Sequence, residues 1–110
     1  ATWCPPCRDE LPGLIEASRA ADVPLLAVTD EPWERLAPYF AGNIPTEVVR
    51  DPAGDAARRF AVSGLPDTFV VVQGNRITQR MGGPRNWRSK QAREFLNDLR
   101  RPTEMVDRPD

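Results

Sequence analysis

The stretch Ala1-Thr2-Trp3-Cys4-Pro5-Pro6-Cys7-Arg8-Asp9-Glu10-Leu11-Pro12 decides the reading of this chain. It holds both cysteines, three residues apart. Ala1 to Trp3 form an extended, turn-like lead-in. The residues after Pro6 open a helix, because proline suits a first turn whose N–H groups have no intrahelical partner. Cys4 therefore sits at or just ahead of a helix N-terminus, with Cys7 inside the first turn. The free N–H groups and the positive end of the helix dipole favour a thiolate on Cys4. A thiolate is the nucleophile of thiol–disulfide exchange, so Cys4 is the expected attacker. Cys7, one turn on, is placed to resolve the mixed disulfide. A purely structural disulfide is the plainer reading, but so short a loop gains little chain entropy from closure. Half a zinc site is another. Tetrahedral zinc wants four Cys or His ligands, and the chain has no second cysteine pair and no histidine, so no metal site is expected.

The 110 residues suffice for one domain. Hydrophobic residues make up 40% and charged residues 28%, with a formal net charge of −1. That balance gives no electrostatic case for nucleic acid or a membrane surface. No apolar run approaches the ~20 residues of a membrane span, and the first residue already lies inside the cysteine motif. The expectation is a domain cut from something longer.

Leu11, Leu14, Ile15 and Ser18 follow helical spacing, predicting a helix from about Pro6 to Ala20, kinked at Pro12 and ended by Asp22. Leu25–Thr29 reads as a short buried parallel strand. Asp30 and Pro32 predict the start of a second helix with Trp33, Leu36, Ala37 and Phe40 on its apolar face, bent or ended by Pro38. Thr46–Arg50 is a weak strand, and Asp51-Pro52 restarts a helix by the same cap-plus-proline logic. Asp67–Gln73 is the strongest strand, joined through the turn Gly74-Asn75 to an antiparallel partner over Arg76–Met81. Asn86 is the expected cap of a last helix with Trp87, Phe95, Leu96 and Leu99 on its inner face. From Pro102 to Asp110 a frayed tail is expected, which leaves 1–101 as the domain.

Pro66 stands directly before the strongest strand, where it cannot donate to the ladder. A trans bond is the ordinary state of such a proline. A cis bond would turn the chain sharply and leave the Leu65 backbone free to pair with an extended peptide.

Taken together, Trp3-Cys4-Pro5-Pro6-Cys7 with Arg8, Glu10, Leu11 and Pro12, the Leu65-Pro66-Asp67-Thr68-Phe69 segment and the order of elements resemble the thioredoxin superfamily. The similarity is greatest to its TlpA/ResA/DsbE-like periplasmic thiol–disulfide oxidoreductases. The resemblance implies an α/β thioredoxin-like fold: a three-layer α/β/α sandwich on a mixed sheet, with a helix-and-strand insertion matched by Asp30 to Arg50, ahead of a cis Pro66. It implies Cys4 as exposed nucleophile, Cys7 as buried resolving cysteine, and Glu10 as an active-site carboxyl handling protons beside Cys7. A solvated helix residue or a local ion pair is the alternative for Glu10. Trp3, Pro5, Leu65 and Pro66 are the implied substrate-facing rim. No cofactor is implied beyond the redox-active Cys4–Cys7 pair. In this family a central strand precedes the cysteine motif, between the strands matched here by Leu25–Thr29 and Thr68–Gln73; it is expected upstream of Ala1, with an anchor or signal before it, the alternative being a neighbouring chain that fills the slot.

The function implied is reduction of disulfides in extracytoplasmic protein partners carrying cysteine pairs, fed by a membrane thiol donor, in cytochrome c maturation or copper-centre assembly. The two prolines between the cysteines carry no charge, and Pro6 removes a donor from the helix start. Both features argue for a comparatively reducing pair. A disulfide oxidase or isomerase is the runner-up. A metallochaperone would want a histidine that the chain lacks, and a redox-inactive scaffold fits poorly with an intact cysteine pair.

Overall fold

A computed structural model of the chain describes residues 1–100; the expected frayed tail at 102–110 lies outside the described residues. The first helix, α1 (Pro5–Ala21), takes both prolines of the cysteine motif in its opening positions and runs through Pro12. Asp22 ends it in the left-handed conformation, φ 59°, with its N–H donating to the Arg19 and Ser18 carbonyls. Of the face expected from the spacing, Leu14, Ile15 and Ser18 are buried and Leu11 is half-buried, and Glu10 is buried beside them. Gly13 is buried among them because Arg88 lies across it; a Cβ there would come within 3.1 Å of the guanidinium.

β1 (Ala27–Thr29) pairs in parallel with β2 (Val48–Arg50) in the register Ala27↔Val48 to Thr29↔Arg50. Between them runs α2 (Trp33–Tyr39), which completes the helix-and-strand unit expected over Asp30–Arg50. Two details differ from the sequence reading. The strand is not buried, since Leu26 and Val28 are exposed. An apolar run shows that a segment is able to be covered, not that anything covers it. Asp30 does not cap α2 either: the N-cap is Pro32, with no side-chain bond. The neighbouring Glu31 turns back instead to the start of the chain.

α3 (Asp55–Arg59) begins three residues later than the proline suggested, after Gly54 at φ 72°. The capping logic survives at longer range, because the Asp51 carboxylate accepts the Ala56 N–H at 2.7 Å. β3 (Asp67–Val72) and β4 (Arg76–Gly82) form the expected antiparallel hairpin, with an irregularity between Val70 and Val71. Its turn needs positive φ at both central positions, and Gly74 and Asn75 supply 81° and 58°. α4 (Lys90–Leu99) is capped by Ser89, whose hydroxyl accepts the Ala92 N–H at 3.1 Å. Asn86, the expected cap, closes a local turn onto the Arg88 N–H instead. Trp87 consequently precedes the helix rather than lying on it.

Parallel and antiparallel pairing both occur, as a mixed sheet requires, but in two separate two-stranded sheets. Among the described residues no strand hydrogen-bonds the second edge of β1 or of β3. The sequence reading anticipates this break, since no run between Ala1 and Arg100 is left to fill that place. The apolar core therefore sits mainly where α1 packs on α4, around Leu14, Trp87 and Leu96, with Phe95 and Met81 against it.

An ion pair ties the end of α1 to the entry of β2. The Arg19 guanidinium donates to both Glu47 oxygens, at 2.6 and 2.8 Å. These bonds hold the Glu47 carboxyl at about 2, down from 4.5, against a smaller opposing effect of burial. A depressed carboxylate stabilises the fold fully above its unfolded value and loses that contribution as pH falls through its folded one. The urea-midpoint difference between wild type and Glu47→Gln is therefore expected to be constant at neutral pH, to shrink below about pH 4.5, and to vanish below about pH 2. A difference that persists at pH 1.5 would rule out this linkage.

Candidate redox-active site

Cys4 is the N-cap of α1, in extended conformation, and its Sγ accepts the Cys7 N–H at 3.3 Å. With prolines in the first two helical positions, that N–H is the first free donor of the helix. The two cysteines form a disulfide, with Cα atoms 5.3 Å apart. The lead-in is a turn closed by the Cys4 N–H on the Ala1 carbonyl at 3.1 Å.

One carboxylate fixes this lead-in. The Glu31 oxygens accept the Thr2 N–H at 2.7 Å and the Thr2 hydroxyl at 2.5 Å. The Thr29 hydroxyl is 3.4 Å from Oε1 and also accepts the Glu31 N–H. Burial alone would push the Glu31 carboxyl upward. The bonds from Thr2 and Thr29 oppose that push, and the carboxyl lies below its ordinary range. Sequence reasoning missed Glu31, because a glutamate just before a helix looks like any first-turn acid.

Glu10 is buried at 8% exposed, which excludes the solvated alternative. Its Oε2 accepts the Trp87 indole N–H at 2.7 Å and the Arg85 backbone N–H at 3.0 Å. Cys7 lies three residues earlier on α1, a spacing that puts two side chains on neighbouring positions of one helix face.

The expected exposures of the cysteines are reversed in this oxidised form. Cys4 is buried at 5% exposed, whereas Cys7 is half-buried. The reason is the capping geometry: the Cys4 sulfur folds back onto the helix end to meet both the Cys7 N–H and the Cys7 sulfur. Trp3 is 65% exposed and so lies outside the core; Pro5 is exposed beside it.

The Leu65–Pro66 bond is cis. Leu65 is exposed, and among the described residues no hydrogen bond uses its N–H or carbonyl. The Pro66 carbonyl is taken by the Gly83 N–H at 2.9 Å. A shallow groove of about 360 Å³ lies here, lined by Leu65, Pro66, Asp67, Arg80 and Gly83 among others. Cys4, Cys7 and Glu10 thus share the opening turns of α1, with Trp3 just ahead. No hydrogen bond or ring contact among the described residues joins them to Leu65–Pro66, which heads a different strand pair. Among the described residues no group of three or more His, Cys, Asp or Glu side chains could hold a metal ion, and no helix is long and apolar enough to cross a membrane.

No protein-family model matches the chain. Individual proteins do. It is 37% identical over 87 residues to a thiol:disulfide interchange protein, DsbE homolog, of Paracoccus denitrificans, covering 76% of this chain and 48% of that protein. It is 32% identical over 87 residues to the thiol:disulfide interchange protein CycY of Rhizobium leguminosarum bv. viciae, covering 76% and 47%. The chain spans about half the length of the curated relatives it matches. In structure it is similar to a thiol:disulfide interchange protein DsbE from Chlorobium tepidum, with a TM-score of 0.62, 25% identity, and coverage of 89% of this chain and 70% of that one. With a Cys-Pro-Pro-Cys pair bridged at a helix start, the chain is similar in sequence and in structure to thioredoxin-like, DsbE-type thiol:disulfide interchange proteins.

Proposed function

We propose that the chain is a thiol–disulfide oxidoreductase that reduces disulfides of protein partners outside the cytoplasm. The observation that carries this reading is the Cys7 N–H aimed at the Cys4 sulfur, at the end of a helix whose first two N–H positions are prolines. A lone N–H and the helix dipole favour a thiolate on Cys4, while the missing donors keep that stabilisation modest. A modestly stabilised thiolate goes with a reducing pair.

In the reduced protein the Cys4 thiolate attacks one sulfur of a partner disulfide. The Cys4–partner bond forms as the partner's sulfur–sulfur bond breaks, and the released sulfur leaves as a thiolate that takes up a proton. Cys7 then loses its proton to Glu10 and attacks the Cys4 sulfur. The Cys4–Cys7 disulfide forms, the second partner sulfur departs, and two electrons have passed to the partner. Leu65, with its unused backbone groups, pairs with the partner's extended segment, and Trp3, Pro5 and Pro66 border it. A membrane thiol donor returns Cys4–Cys7 to the dithiol. Periplasmic location, with an anchor beyond these residues, and service to cytochrome c maturation or copper-centre assembly complete the proposal.

The reduction potential tests the direction. Equilibration with glutathione or dithiothreitol buffers is expected to place the pair in the range of thioredoxin, about −270 mV, and far from the roughly −120 mV of DsbA-type oxidants. A value near the latter would replace the reductase reading with an oxidase.

A further inference from the structure

Glu10 is anchored from far away in sequence. Its two donors, Arg85 N–H and Trp87 Nε1–H, sit 75 and 77 residues downstream, in the segment that leads from β4 into α4. Both bonds fall on one oxygen, Oε2, so Oε1 is the oxygen left to take or give a proton. The indole is itself immobilised. It is 4% exposed, packs with Leu14 and Leu96, and lies 6.3 Å from the Phe95 ring, centroid to centroid. A buried indole N–H needs an acceptor, and a buried carboxylate needs donors. Mutual satisfaction explains why the pair is stable. It does not require that the acceptor stand three residues from a redox cysteine.

We infer that Trp87, with the Arg85 backbone N–H, is a positioning residue for the redox step: it pins Glu10 Oε2 so that Oε1 is held for the Cys7 thiol. The inference rests on the reading of Glu10 as the proton acceptor of Cys7. Trp87 hydrogen-bonds the carboxylate and neither sulfur, and acts through the carboxylate. Proton transfer by a placed side chain contributes about 10²–10⁴-fold to a step, and a loosened base forfeits part of that.

The test separates the two half-reactions in stopped flow, with reduced protein and a peptide disulfide. Trp87→Phe keeps an aromatic ring and deletes the N–H. It is expected to slow resolution of the mixed disulfide by Cys7 about tenfold, while the first attack by Cys4 stays within about twofold of wild type. Glu10→Gln is expected to slow resolution at least as much, and the double variant no further. Equal slowing of both phases by Trp87→Phe would mean a structural role only and would overturn the inference. If Glu10→Gln slows resolution and Trp87→Phe does not, the positioning role is wrong and the Glu10 reading stands. If Glu10→Gln has no effect, the Glu10 reading itself fails. A second measurement needs no change at Trp87: the ¹⁵N–¹H resonance of its indole should move when Cys4–Cys7 is reduced in wild type, and should lose that response in Glu10→Gln. An indole signal blind to redox state would also overturn it.

Discussion

Replacing Cys4 by serine is expected to bring dithiothreitol-driven reduction of insulin disulfides down to the rate of dithiothreitol alone, whereas replacing Cys7 should leave a protein that attacks but does not let go. The asymmetry follows from the helix start. Only the Cys4 sulfur receives the Cys7 N–H, and only a thiolate attacks a disulfide at a useful rate near neutral pH. A serine hydroxyl at the same place stays protonated and inert. In Cys7→Ser the first step survives, but the intramolecular second thiol is gone. Well-placed intramolecular groups are worth effective concentrations of about 10⁵ M and more. The mixed disulfide is therefore expected to outlive that of wild type by on the order of 10³-fold, and to appear on non-reducing gels as a covalent adduct with a cysteine-bearing partner. The opposite pattern, with an adduct trapped by Cys4→Ser, would exchange the two roles. The burial of Cys4 in the oxidised form gives that outcome a definite structural rival to exclude.

Trp87→Ala is the substitution expected to cost the fold most. The side chain is at the centre of the cluster with Leu14 and Leu96 that joins α1 to α4. Truncating a buried tryptophan to alanine costs about 3–5 kcal/mol in transfer and cavity terms. The change also strips Glu10 of its shorter hydrogen bond and leaves a buried carboxylate with one donor, which adds to the loss. For a domain whose total stability is about 5–15 kcal/mol, the urea midpoint should fall by roughly 1–3 M. Leu99→Ala, at the half-buried edge of the same cluster, should cost clearly less. A Trp87→Ala protein within about 1 kcal/mol of wild type would show that the α1–α4 contact is not the principal core.

The elements were legible where one local rule dominated. The cysteine helix, the turn at Gly74-Asn75 and the β3–β4 strands each follow from proline placement, positive φ or β-branched runs. The helix starts at Trp33, Asp55 and Lys90 were less so, because competing caps lay within a few residues of one another. Asp30, Asp51, Asn86 and Ser89 are all good cap residues. Which one is used depends on where the chain is held by contacts that local sequence does not contain. Cys4, Cys7 and Glu10 were singled out from spacing and resemblance, and they share the opening turns of α1. The contacts of Glu31 and Trp87 were not foreseen. Their contacts with Thr2 and Glu10 span 29 and 77 residues, and nothing in their own neighbourhood signals a partner. The exposures of the two cysteines were misjudged for a related reason: a capping sulfur is covered by its own helix.

The connectivity of the two strand pairs has a consequence for how each of them opens. The hairpin is closed by a two-residue turn and can fray and re-form as a local unit. The β1–β2 pair depends on a crossover through α2. Native-state amide exchange should therefore resolve two strand populations with different opening free energies. Slow amides should also cluster in α1 and α4 around Leu14 and Leu96, so the helix that carries the disulfide is among the last parts of the domain to yield.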